Sequence, residues 1–170
     1  MYLQKYKIPG LPGKKFFIFF LLPVLFFSGY LLFSRLQQDP WLLIVRAPAL
    51  EQTIHTIPIR ENDNITLSYT HSVSGRPVSG IFVITDTAKI KPYSTEFDSY
   101  GPGLPEPGSS INYEKEDGKF VVYHDEEPRD HIRLFVSPLT GEQLTLHGKD
   151  YDLTSQLEGP LLLEIYILIP

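Results

Sequence analysis

Asn64-Ile65-Thr66-Leu67-Ser68-Tyr69-Thr70-His71-Ser72-Val73 is the stretch whose reading decides the fold. Apolar residues alternate with small polar ones at period two, so a strand here puts Ile65, Leu67, Tyr69, His71 and Val73 on one face. Asn64, Thr66, Ser68, Thr70 and Ser72 fall on the other. Outward from this segment the same period recurs at Leu42 to Ala47, Thr53 to Ile59, Gly80 to Thr87, Lys89 to Phe97, Lys119 to Tyr123, His131 to Val136, Gln143 to Leu146 and Leu161 to Ile169. No window beyond Trp41 repeats apolar residues at helical spacing.

Turn chemistry separates these runs. Glu61-Asn62-Asp63-Asn64, Ser74-Gly75-Arg76-Pro77, Glu116-Asp117-Gly118 and Ser137-Pro138-Leu139-Thr140-Gly141 all hold residues that turn at low steric cost, and Asp117-Gly118 reads as a hairpin. Many short strands at this spacing predict an all-β domain, a β-sandwich of about eight or nine strands, with a closed barrel as the alternative. A single open sheet would leave an apolar face and its edges in water. The C-terminal alternation, Leu161, Leu163, Ile165 and Ile167, predicts a core strand. The segment from Tyr100 to Asn112 is rich in proline and glycine and reads as an ordered surface loop.

Composition narrows the class further. The chain has 170 residues, enough for one domain plus a targeting segment, and no cysteine, which removes disulfides and thiolate chemistry. Its net charge of -5 is unevenly spread. Lys5, Lys7, Lys14 and Lys15 stand without an acid in residues 1–15, whereas from Trp41 onward 10 Lys and Arg face 19 Asp and Glu, a net -9. Such a domain is repelled by nucleic acid and by anionic lipid, so no nucleic-acid partner is expected.

Phe16 to Phe33 is an uncharged run that spans roughly 27 Å as a helix, close to the thickness of a bilayer core. A cleaved signal peptide is the alternative. Its apolar region is shorter, and the exits at Ser28-Gly29 and Phe33-Ser34 lack the small-x-small pattern because Phe27 or Leu32 stands where a small residue is wanted. A retained anchor is therefore expected. Pro23 is tolerated in such a helix. Four lysines before the run and only Arg35 soon after it keep the N-terminus in the cytoplasm. The expected organisation is a cytoplasmic basic tail at 1–15, a single-pass membrane anchor at 16–33, a short stalk at 34–40 and an extracytoplasmic β-sandwich at 41–170.

Chemistry-bearing constellations are few. His71 and Ser72 are adjacent and point to opposite strand faces, so they do not form a nucleophile and base, and no Gly-x-Ser-x-Gly elbow exists. No catalytic residue and no enzymatic activity are expected. His71 on the apolar face reads as a buried histidine satisfied by a backbone or carboxylate partner. Glu96 and Asp98 lie two residues apart, roughly 7 Å along a strand, which suits a solvated face or, alternatively, calcium binding or acid–base work. His55, His124, His131 and His147 are scattered without ligand spacing, so no metal site and no cofactor are expected. Gly101-Pro102-Gly103-Leu104-Pro105 reads as a rigid turn.

The anchor, the block Tyr69-Thr70-His71-Ser72-Val73 with Pro77-Val78, and the block Thr95-Glu96-Phe97-Asp98-Ser99-Tyr100-Gly101-Pro102-Gly103-Leu104-Pro105 together resemble the DUF1850 family of small bacterial proteins. The resemblance runs roughly from Leu42 to Ile169 and is sharpest in those two blocks. It implies an accessory role beside a TAXI-type TRAP transporter, in which an extracytoplasmic protein delivers a solute to a membrane permease. Relatives often carry acids after His-Ser-Val and after Pro-Val, where this chain has Ser74, Ser79 and Gly80. The resulting expectation is a membrane-anchored accessory or interaction protein, contacting the permease or its solute-binding protein. A small-molecule or metal-binding module using His71 with Glu96 or Asp98 is the alternative. The binding or interaction candidates are His71, Ser72, Glu96, Asp98, Gly101, Gly103 and Pro105, expected to converge where the His71 strand end meets the 101–105 loop.

Overall fold

The alternation at 64–73 forms a strand, but it stops at Thr70. In the computed structural model His71 begins a tight turn: its N–H donates to the Arg76 carbonyl at 2.8 Å and its carbonyl accepts from Gly75 N–H at 2.8 Å. Gly75 takes φ +65, a conformation that costs a glycine nothing. Val73 is consequently 71% exposed rather than on the core face, which corrects the longer strand expected from the pattern. The structure describes residues 23, 27–29, 40–99, 101–104, 113–116, 118–155 and 157–170. It divides into the units Met1–Asp39 and Pro40–Pro170. Apart from Pro23 and Phe27–Gly29, the anchor expected at 16–33 lies outside the described residues, as do the basic tail and nearly all of the stalk. Among the described residues no helix is long and apolar enough to cross a membrane.

The second unit is all-β. Its strands are β1 (Trp41–Ala47), β2 (Gln52–Ile59), β3 (Asn64–Thr70), β4 (Pro77–Ile84), β5 (Ile90–Phe97), β6 (Tyr113–Glu116), β7 (Lys119–Tyr123), β8 (His131–Val136), β9 (Gln143–Leu146), β10 (Lys149–Asp152) and β11 (Leu161–Leu168). They form two antiparallel sheets, one ordered β2-β1-β11-β8 and one ordered β10-β9-β3-β4-β5-β7-β6. The expected count of eight or nine misses β6 and β10. Both are four-residue edge strands, Tyr-Glu-Lys-Glu and Lys-Asp-Tyr-Asp, in which charge replaces the apolar alternation. Charged, short edges discourage pairing with another chain, and that same property hides them from a hydrophobic pattern.

One core lies between the sheets and makes the fold sandwich-like. Leu43, Val45, Ile57, Ile59, Val136, Leu163 and Ile165 from the four-stranded sheet meet Ile65, Leu67, Ile84, Ile90, Leu144 and Leu146 from the seven-stranded sheet, all buried. Burying each such side chain contributes roughly 1.5–3 kcal/mol against exposure. As expected, β11 is a core strand, central in its sheet, with Leu163 and Ile165 fully buried.

A second, smaller cluster holds Val78, Phe97 and Val122, with Tyr69, Leu104 and Phe120 packed on it, and none of these belongs to the four-stranded sheet. A bulge puts Phe97 there. The β4–β5 register slips between Ile81 and Phe82, so Phe82 pairs with Pro92 but Ile81 with Ser94. The slip reverses the phase of β5. Tyr93 becomes 51% exposed, and Phe97 keeps the core face beside its partner Val78.

Registers sort the loops of this unit into two ends. Trp41 pairs with Ile59, and Leu42 pairs with both Pro58 and Leu168, so the chain enters at the same end as the 60–63 turn and the finish of β11. β3 starts from that turn and runs to the other end. There Leu161 pairs with Val136, and Thr70 N–H donates to the Thr140 carbonyl at 2.9 Å. The His71 turn and the 137–141 loop therefore share the end opposite the point of chain entry.

Candidate functional site

Each part of the imidazole of His71 has a partner, and every hydrogen-bonding partner is backbone. The ring is 7% exposed. Nδ1 accepts from Val73 N–H at 3.3 Å and from Ser74 N–H at 3.2 Å, and Nε2 lies 3.0 Å from the Pro102 carbonyl. An acceptor at Nδ1 requires the proton on Nε2, which donates to Pro102. The ring ties the turn after β3 to the loop after β5. Gly101 makes the approach possible, because a Cβ there would stand 3.1 Å from Cε1 and 3.4 Å from Nε2 of the ring. Gly103 has a different reason, φ +85, that lets the loop reverse, and Leu104 N–H closes the turn on the Gly101 carbonyl at 3.0 Å. Leu104 then packs on the cluster around Phe97 and Val78.

The two sequence blocks thus meet: His71 rests on Gly101 and bonds to Pro102, and Gly103 turns the loop that delivers Leu104. Ser72 does not join them; it is exposed in the turn. Pro105 lies outside the described residues. Glu96 and Asp98 are each beside a cation. Lys119 Nζ stands 3.5 Å from Glu96 Oε2, and Arg76 Nη1 stands 3.6 Å from Asp98 Oδ2. Asp98 Oδ1 is buried with no hydrogen-bond partner, the one such side-chain atom among the described residues.

Sequence reasoning missed Glu142. Its side chain is 5% exposed, and its carboxylate accepts Ser137 N–H at 2.9 Å and the Thr140 hydroxyl at 2.5 Å, closing the 137–141 loop on itself. Its carbonyl accepts Leu153 N–H at 3.0 Å. A carboxylate next to a predicted turn carries no sequence signal that it is buried. Nearby, Tyr69 has its phenol pushed above the usual range, first by burial and then by the negative charge of Glu142. At the same end, Asp152 Oδ1 accepts Thr154 N–H at 2.7 Å, the Thr154 hydroxyl at 2.9 Å and Ser155 N–H at 2.9 Å. The bond from Thr154 N–H is the main cause that holds its carboxyl below the usual range.

Three of the remaining histidines are individually satisfied rather than gathered, and the fourth, His131, is exposed at the start of β8. His55 Nε2 reaches the Asp152 carbonyl at 2.9 Å, His124 Nε2 the Thr95 hydroxyl at 2.8 Å, and His147 Nε2 reaches Asp63 Oδ1 at 2.9 Å. Among the described residues no group of three or more His, Cys, Asp or Glu is placed to hold a metal ion. What this end of the sandwich does chemically is hold backbone: polar side chains that elsewhere serve as ligands or bases here pin three loops.

No curated protein and no solved structure matches the chain. The family described as Domain of unknown function (DUF1850) matches residues 65–153, just over half of the sequence, a span that contains His71, the 101–104 turn and Glu142. The chain belongs to the DUF1850 family.

Proposed function

We propose that this protein is a membrane-anchored, extracytoplasmic accessory subunit of a TAXI-type TRAP uptake system, acting by docking and not by catalysis. One observation carries the docking part: both nitrogens of His71 and both carboxylate oxygens of Glu142 are taken up by loop groups. Side chains so buried and so engaged are spent on holding a surface in one shape. The anchor at 16–33 and the transporter partner rest on the sequence and on the family resemblance. The test is co-isolation from native membranes with a TRAP permease or solute-binding protein, paired with solute uptake after deletion of the gene. Recovery of a transporter component and impaired uptake are expected. Absence of both overturns the reading.

A second reading, a small-molecule or cation-binding module at the cell surface, is favoured by one observation, the unpartnered buried Oδ1 of Asp98. Calorimetry with calcium, zinc and organic acids decides it. A saturable heat that disappears in Asp98→Asn supports that module, and flat titrations remove it.

A further inference from the structure

Two exposed apolar side chains stand on the loops that His71 and Glu142 organise. Val73 is 71% exposed in the turn whose N–H groups at Val73 and Ser74 bond to His71. Leu139 is 93% exposed in the loop whose Ser137 N–H and Thr140 hydroxyl bond to Glu142. The Thr70 N–H to Thr140 carbonyl bond fastens the two loops together. A lone exposed apolar residue is ordinary. Here two adjoining loops each hold a largely exposed one, and each loop is fixed from beneath by a buried polar side chain whose desolvation is unfavourable. Fixing a loop before contact lowers the entropy lost on association, which is how preorganised surfaces gain affinity.

We infer that Val73 and Leu139 are the apolar anchors of a protein-docking surface, and that their partner is a protein presenting an apolar cleft with a basic rim. This inference rests on the accessory reading and names the contact surface for it. The charge of the partner follows from complementarity: residues from Trp41 onward carry a net -9, of which Glu51 and Glu158 stand exposed at this end, while Arg76 in the Val73 turn is paired with Asp98. A lipid surface is the less suitable occupant, because anionic headgroups repel an acidic domain. The span shared with the family contains both loops and leaves out β1, β2 and β11, so the outer face of the four-stranded sheet is a weaker candidate.

The chain has no native cysteine, which gives site-specific cross-linking a clean background. The full-length protein is made with Val73→Cys, Leu139→Cys, Asp86→Cys or Phe135→Cys, labelled with a photoactivatable maleimide and irradiated in native membranes. Asp86 marks the chain-entry end and Phe135 the outer face of the four-stranded sheet. The expected result is an adduct with the permease or the solute-binding protein from positions 73 and 139 and none from 86. Val73→Ser with Leu139→Ser is expected to cut co-isolation about tenfold or more while leaving thermal unfolding unchanged, since both side chains are exposed. Adducts from 86 or 135 but not from 73 and 139 overturn this surface and leave the accessory reading standing. Adducts only with lipid from 73 and 139 also overturn it. No protein adduct from any position, together with no co-isolation by the unmodified chain, overturns the accessory reading itself.

Discussion

The two ends of the β-sandwich-like domain are held in different ways. At the end where the chain enters, the turns are tied by pairs with at least one exposed partner: His147, 58% exposed, with Asp63, which also accepts Arg60 N–H, and Lys89 with Asp130, 42% and 78% exposed. Pairs of this kind contribute about 0–1 kcal/mol and weaken with salt. At the opposite end the turns are tied by His71 and Glu142, 7% and 5% exposed, through bonds to backbone and hydroxyl groups. Removing a buried polar partner strands the groups that it satisfied, at about 1–3 kcal/mol each. The difference teaches where buried polar groups fix the chain: exposed partners join turns at one end, and buried side chains hold three loops in register at the other.

That contrast is most easily broken with His71→Ala. It strands Val73 N–H, Ser74 N–H and the Pro102 carbonyl and opens a void under Gly101, so a loss of about 2–4 kcal/mol is expected in denaturant unfolding. His147→Ala at the other end should change stability by less than about 0.5 kcal/mol. Equal losses from the two variants would erase the distinction. Glu142→Ala is expected to cost about 1–3 kcal/mol by freeing Ser137 N–H and the Thr140 hydroxyl. Glu142→Gln should also bring the Tyr69 phenol part of the way back toward its ordinary range, read by ultraviolet titration, since burial remains but the charge is gone. Gly101→Ala pushes a methyl to 3.1 Å from the His71 ring and is expected to cost about 1–3 kcal/mol, against near zero for Gly159→Ala, where nothing lies within 4 Å.

The smallest effects are those of pH, and they also belong to the His71 end. The Tyr69 phenol is raised on folding, so the stability linked to it is fully present below the unfolded value of about 10 and is lost as pH rises through the folded value. The Asp152 carboxyl is lowered on folding, so its contribution is present above the unfolded value of about 3.9 and is lost as pH falls through the folded value. Hydrogen exchange at high pH should therefore speed first in the 70–76 and 137–142 segments. Acceleration that starts at 60–63 and 85–88 instead would detach the high-pH loss from Tyr69.

Much of the fold was legible because a two-residue period survives wherever one strand face is buried. Ile65 and Leu67 announce β3, and Leu163 and Ile165 announce β11, by that period alone. Gly118 at φ +86 shows why Asp117-Gly118 reads as a hairpin turn even though the strand before it, Tyr113–Glu116, does not read as a strand. β4 starts at Pro77, earlier than its apolar run, since the first residue of a strand is a position where a missing N–H is tolerated. The site was legible only in part. That His71 would be buried and satisfied follows from its place among Ile65, Leu67 and Tyr69. Its partners do not follow, because they are backbone atoms, one of them 31 residues away in a loop, and backbone atoms leave no trace in residue type. Glu142 was hidden for the same reason: its carboxylate bonds to a backbone N–H and a hydroxyl that any turn sequence offers.

The account depends on His71 being a clamp whose two nitrogens are already committed. A long-range 1H–15N correlation spectrum of the histidine rings in the full-length protein tests this directly. The expected result is an His71 ring protonated at Nε2, with bare Nδ1, whose Hε2 exchanges slowly and whose shifts do not move when calcium, zinc or an organic acid is added. A ring protonated at Nδ1, or a saturable shift on adding one of those ligands, would contradict it.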